Sequence, residues 1–170
     1  MNILKLELTH FGKFHLKTIT FTSGLNIVYG KNEAGKSTIH AFVRSMLFGI
    51  QDTEEGNERY SHYLPWETPH DFCGRMWIKK DDKVYRIERN FLRPQPTVRV
   101  FDDETGESLQ PAKQHLRQIL SGLTETSYLN TICIEQLKSA TDPQLAKELE
   151  DMAVNASQSK NLNIDVKQAK

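Results

Sequence analysis

The sequence predicts a mixed α/β fold organised around a phosphate-binding loop, with antiparallel strands flanking the loop's own strand and helix. Three observations carry this prediction. Gly30-Lys31-Asn32-Glu33-Ala34-Gly35-Lys36-Ser37 spells G-x-x-x-x-G-K-S, the phosphate loop of P-loop nucleotide triphosphatases. A short apolar run precedes it, and apolar residues recur at helical steps after it. On either side, stretches with period-two alternation are punctuated by turn residues.

Ile3 to Leu8 alternates after its first residue, and Phe14 to Phe21 does so more loosely. Gly12-Lys13 between them reads as a turn, so two antiparallel strands lead towards the loop. Leu25-Asn26-Ile27-Val28-Tyr29, opened by Gly24 and closed by Gly30, reads as a buried strand. From Ser37, the residues Ile39, Phe42, Val43, Met46, Leu47 and Ile50 form one apolar helical stripe, with Gly49 as its stop. Residues 51–70 carry little periodicity and include Gly56, Pro65 and Pro69, so they read as an irregular surface insert. Its aromatics, Tyr60, Tyr63 and Trp66, are expected to pack the insert onto its own domain; stacking on a base or a partner is the alternative.

Met76-Trp77-Ile78 and Val84 to Ile87 form a hairpin around an Asp81-Asp82 turn, and Thr97 to Phe101 is a further strand. Pro111 opens a helix through Leu116, Ile119 and Leu120 that stops at Gly122. Thr124 caps a short helix through Tyr128 and Leu129, Ile132-Cys133-Ile134 is a brief strand, and Asp142-Pro143 opens a last helix. The tail from Ser157 to Lys170 is polar, either a linker or the approach to another helix.

The loop's chemistry follows from the helix behind it. The first N–H groups of a helix lack internal partners and its dipole is positive there, so a phosphate chain is favoured at that end. Gly30 and Gly35 allow backbone angles and close approach that a side chain would block. Lys36 is the catalytic candidate, a point charge for the β- and γ-phosphates, and the Ser37 hydroxyl is a ligand for Mg²⁺. Asn32, Ala34 and Thr38 are expected to contribute backbone amides, with Glu33 pointing outward.

A length of 170 residues gives room for one domain or a little more, and formal net charge is zero. Bulk charge therefore argues for no nucleic-acid or membrane partner. Cys73 and Cys133 suggest neither a disulfide framework nor a metal site. No stretch is apolar enough to span a bilayer and no signal-peptide core opens the chain, so a cytoplasmic protein is expected. Local charge is uneven. Asp52, Glu54, Glu55, Glu58 and Glu67 face only Arg59 within 51–70, whereas 71–100 is rich in Arg and Lys. Charged solvent faces of strands explain such runs; a nucleic-acid footprint through Arg75, Lys79, Lys80 and Arg86 is the alternative.

Two motif-like segments are better read as punctuation. Val98 to Glu104 has the form of a strand ending in metal-binding carboxylates, but Arg99 is out of place in a strand buried on both faces. Leu120-Ser121-Gly122-Leu123 starts like the L-S-G-G-Q signature of transporter ATPases and then departs from it. The six histidines show no ligand spacing.

Several segments together resemble the N-terminal half of SMC-like, ABC-type ATPase heads, and within them the bacterial YhaN-like branch related to SbcC and RecF. They are the strand pair, Gly24 to Thr38, Phe42 to Gly49, Tyr63-Leu64-Pro65-Trp66, Tyr85 to Arg89, and Ile132 to Leu137. The resemblance implies an ATP-binding N-terminal lobe over residues 1–156, with 157–170 as a tail or the start of a coiled-coil connection. It implies ATP and Mg²⁺ as cofactors, Gln136 as a second metal contact, and Lys13 as a nucleotide contact where relatives place an Arg. It also implies hydrolysis between paired heads, a C-terminal lobe of the same protein as partner, and DNA as a candidate load. The catalytic Glu, Mg²⁺-binding Asp, signature loop and switch His of such heads come from that C-terminal lobe, and none is found here. The chain therefore reads as half of a head, inactive alone, its other half further along a longer polypeptide or on another. Two rivals remain. A P-loop kinase would need parallel strands after the loop helix; a non-catalytic module would use nucleotide only to control pairing.

Overall fold

The computed structural model describes residues 1–133. Gln136, Ile134, the helix expected from Asp142-Pro143 and the polar tail lie outside the described residues. The chain divides into two units, Met1–Gly122 and Leu123–Lys170.

The first unit is a five-stranded sheet with three helices. Its strands are β1 (Asn2–Phe11), β2 (Phe14–Thr20), β3 (Cys73–Lys80), β4 (Lys83–Asn90) and β5 (Thr97–Asp102). They lie in the order β2-β1-β3-β4-β5, and every pair is antiparallel. That arrangement weighs against the kinase alternative. The two hairpins turn where the sequence indicated: Gly12 has φ 57°, and Asp81 and Asp82 have φ 49° and 64°. Two successive positive angles match the right-handed twist of the strands they join.

Register sorts the side chains into two faces. Leu6, Met76, Ile87 and Val100 stand opposite one another across four strands, and all are fully buried. This apolar row meets helix α1 (Lys36–Phe48), which packs on β1, β3 and β4, while α3 (Ala112–Ile119) packs on β5. On the other face the next row reads Glu7, Arg75, Glu88, Arg99, with Arg75 reaching both Glu7 (3.5 Å) and Glu88 (3.3 Å) and Arg99 reaching Glu88 at 3.0 Å. The row beside it reads Lys5, Trp77, Arg86, Phe101, where Lys5 lies 4.0 Å over the Trp77 ring and Arg86 4.7 Å over Phe101. Cations here alternate with carboxylates and rings. The bases considered for DNA are engaged within the protein: Lys79 with Asp82, Lys80 with the Gln118 carbonyl and Ser121, Arg86 with Glu88 and Asp103.

Three expectations fail, two of them in the first unit. Leu25–Tyr29 forms no strand; no described segment pairs with it, and Leu25 and Tyr29 are 88% and 91% exposed. A strand needs a neighbour to satisfy its N–H and C=O groups, and among the described residues none is supplied to this segment. The second correction concerns 51–70, which is not irregular throughout: α2 spans Glu54–Tyr63. Its N-cap is Thr53, whose hydroxyl accepts from the Gly56 N–H at 3.1 Å, and Glu54 and Glu55 sit favourably in the first turn. The helix lacks a full apolar stripe and is held by polar contacts together with Tyr60 on Phe72 and Tyr63 on Phe11. Arg44 of α1 pairs with Glu55 at 2.8 Å, and Arg93 donates to Asn57 at 2.6 Å while lying 4.5 Å over the Tyr60 ring.

The remaining boundaries follow their local chemistry. Asp102 ends β5 by accepting from the Glu104 and Thr105 N–H groups, so the acidic strand end is a turn. The Gly122 N–H closes on the Arg117 carbonyl after α3, with φ 77°. In the second unit, α4 (Glu125–Thr131) is capped by the Thr124 hydroxyl, and Ile132 ends the helix instead of opening a strand.

Arg89 of β4 ties α1 to the sheet. Its guanidinium donates to the Met46 carbonyl at 2.7 Å and the Leu47 carbonyl at 3.2 Å, at the negative end of the helix. Burial pulls its pKa down to about 10, still leaving it charged at neutral pH. Arg89→Met removes both donors and strands two carbonyls, so it is expected to lower stability by about 2–4 kcal/mol. A fall in the urea midpoint at unchanged slope checks this.

Candidate phosphate-binding site

The loop hangs between a braced turn and a free helix end. Asn26 makes the turn: its carboxamide accepts from the Thr22 N–H and donates to the carbonyls of Thr22 and Gly24. Within the loop, the Ala34 N–H bonds the Lys31 carbonyl at 3.2 Å. The Lys36 ammonium closes the loop by donating to the carbonyls of Gly30 (2.7 Å) and Lys31 (2.9 Å). Helix α1 then starts at Gly35, where no side chain caps the first turn and no acid occupies it. The positive end of the helix is thus left open.

Gly35 is required twice over. Its φ of 100° is strained for any L side chain, and a Cβ there would lie 2.4 Å from the Phe14 ring. Gly30 is constrained more simply, since a Cβ would come within 2.9 Å of the Ala34 methyl. Glu33 also takes a positive φ of 65°.

The β1–β2 hairpin turn braces this loop from below. Lys13 donates from its ammonium to the Glu33 carbonyl. The Gly12 N–H bonds the Tyr63 carbonyl at 2.7 Å, and a Cβ on Gly12 would meet Thr38 at 3.0 Å and Tyr63 at 3.3 Å. Hairpin, loop helix and α2 therefore converge within van der Waals contact. Beneath them Phe11 stacks on Tyr63 (5.3 Å between centroids) and meets Phe42, Phe72 and Phe91 at 5.1, 5.2 and 5.6 Å.

The convergence leaves an open cleft of about 590 Å³, within the size range of small-molecule sites. One side is Lys13, Glu33, Gly35, Ser37 and Thr38; the other is the end of α2 with Ser61 to Leu64, followed by Trp66. Lys13, Gly35, Ser37 and Thr38 line the cleft. Glu33 lines it as well; it is exposed, and its backbone carbonyl accepts from Lys13. Gly30, Asn32 and Ala34 lie on the exposed loop and Lys36 points into it, while Gln136 falls outside the described residues. The wall from α2 has no apolar periodicity, so its signals in the sequence are its aromatics and the Tyr63-Leu64-Pro65-Trp66 segment.

The fold is a mixed α/β domain with a G-x-x-x-x-G-K-S loop leading into α1. A family model described as an AAA domain matches residues 1–153, and the chain belongs to that family. It is 41% identical over 56 residues to the uncharacterized protein YhaN of Bacillus subtilis, covering 32% of this chain and 6% of that protein. It is 26% identical over 146 residues to the DNA double-strand break repair Rad50 ATPase of Thermococcus kodakarensis, covering 80% of this chain and 15% of that protein. The chain thus spans a small part of these relatives' length. Its likeness is to the N-terminal region of SMC-like, ABC-type coiled-coil ATPases.

Replacing Gly35 by Ala forces a methyl into the Phe14 ring at a strained angle. A loss of about 1–3 kcal/mol in stability is expected, together with disordering of the loop. Thermal unfolding of the variant, read alongside its hydrogen exchange at residues 30–38, checks both.

Proposed function

We propose that the cleft holds the triphosphate of ATP, and that residues 1–156 form the N-terminal lobe of an ATPase head in a longer protein. The observation that carries this reading is the glycine-lined loop closed around the Lys36 ammonium, directly against an uncapped helix N-terminus. Loop amides and helix dipole favour a polyanion, and Lys36 adds a mobile cation that can leave its carbonyls for a phosphate oxygen.

The donor set fits a magnesium-bound triphosphate. Ser37 lines the cleft with an exposed hydroxyl at the first turn of α1, so it would hold the metal there. The metal would supply charge neutralisation on the phosphates. Lys36 would stabilise charge developing on the transferred group, and Lys13 would steady the nucleotide from the hairpin turn. The catalytic carboxylate and signature loop belong, on this reading, to a C-terminal lobe, so this region alone would bind nucleotide but turn it over slowly.

Leu25–Tyr29 supports the same reading from the other side. Four exposed apolar residues beside the phosphate loop, whose backbone pairs with no other segment among the described residues, are an edge suited to strands from that second lobe. Pairing of two such heads is proposed from the resemblance to SMC-like heads, and action on DNA by analogy with the repair ATPase named above. The engaged cations of the sheet face argue that any DNA contact lies elsewhere. The exposed edge also favours a second reading, in which nucleotide governs association alone; ATP-dependent pairing without ADP release would distinguish it.

Lys36→Ala is expected to lower ATP affinity by roughly tenfold or more, since a charge-assisted contact is lost. Titration calorimetry of the full-length protein with Mg·ATP reads it, and equal affinity in mutant and wild type would refute the assignment.

A further inference from the structure

The geometry points to Trp66 as the platform on which the nucleobase of the bound nucleoside triphosphate stacks, an inference that rests on the triphosphate reading above. The cleft is chemically two-sided. Its phosphate side is lined by Lys13, Glu33, Ser37 and Thr38 beside the open end of α1. Its far side carries His62, Leu64 and Trp66. A ligand suited to both sides is anionic at one end and flat and unsaturated at the other, which describes a nucleotide better than inorganic phosphate.

The neighbouring aromatics are committed elsewhere, and this singles out Trp66. Tyr60 packs against Phe72 at 5.4 Å and under Arg93 at 4.5 Å. Tyr63 is stacked on Phe11, and His62 stands edge-on to Tyr63 at 4.7 Å. Among the described residues no ring packs on Trp66, and it is 85% exposed. An indole left in water at the rim of a cleft loses the favourable burial that an aromatic ring normally finds; a base laid across it restores that burial.

The platform is also held in place. Helix α2 is fixed by its Thr53 cap, the Arg44–Glu55 pair and the Arg93–Asn57 bond, and its last turn by the Gly12 to Tyr63 hydrogen bond. Pro65 then restricts the backbone directly before Trp66. The same hairpin turn thus braces both the phosphate loop and the end of α2 that leads to Trp66. Because every base presents a π face, such a platform selects nucleotides over inorganic polyphosphate while discriminating weakly among bases.

The test is titration calorimetry of the full-length protein, wild type, Trp66→Ala, Trp66→Phe and Lys36→Ala, each with Mg·ATP and with magnesium tripolyphosphate. Base stacking on an aromatic is worth about 1–3 kcal/mol by alanine substitution, so Trp66→Ala should weaken ATP by roughly fivefold to a hundredfold. Trp66→Phe should retain most of the affinity, and neither variant should change tripolyphosphate binding. Unaltered ATP affinity in Trp66→Ala, with Lys36→Ala still defective, would overturn the platform and leave the triphosphate reading standing. Equal losses for ATP and tripolyphosphate in Trp66→Ala would overturn it too, showing that the indole only shapes the cleft. Lys36→Ala without effect on either ligand would remove the triphosphate reading and the platform with it.

Discussion

The packing of Phe11 is the contact on which the rest of the structure depends. Its ring ends the buried face of β1 and touches α1 through Phe42, α2 through Tyr63, and the β3 and β4 ends of the sheet through Phe72 and Phe91. One side chain therefore sets the relative positions of three elements that are far apart in sequence. The residue after it, Gly12, transmits that order to the cleft, because its N–H and its missing side chain admit Tyr63 and Thr38 together. Phosphate loop and aromatic wall share a single foundation.

How much of this was legible in the sequence depends on the reach of each signal. The hairpins, the loop helix and its stop at Gly49 are written locally, in alternation, turn residues and helical spacing, and the structure has them where they were expected. Helix α2 was not legible because no apolar stripe runs its length; its partners, Arg44, Arg93, Phe11 and Phe72, arrive from other parts of the chain. Leu25–Tyr29 failed for the opposite reason. Its composition is that of a buried strand, but burial requires a neighbour, and no described residue supplies one. Arg89 looked like one more cation of a basic run, yet only tertiary packing could reveal it as the cap of α1.

The charged sheet face shows how local charge counts mislead. Eight bases between residues 71 and 100 read as an excess along the chain. Across the sheet, Glu88 alone draws Arg75, Arg86 and Arg99 to within 3.3 Å, and Asp103 takes both the Trp77 indole N–H and Arg86. Individual exposed pairs contribute little to stability, but a network that alternates sign from strand to strand presents no continuous cationic surface. The chemistry that remains open to a ligand is concentrated at the loop.

The most direct measurement is a crystal structure of the full-length protein with magnesium and a nonhydrolysable ATP analogue. The triphosphate should lie across the amides of residues 35–38, with the Lys36 ammonium moved from the Gly30 and Lys31 carbonyls to phosphate oxygens. An empty cleft, or one filled by side chains of the protein itself while nucleotide is bound elsewhere, would contradict the assignment.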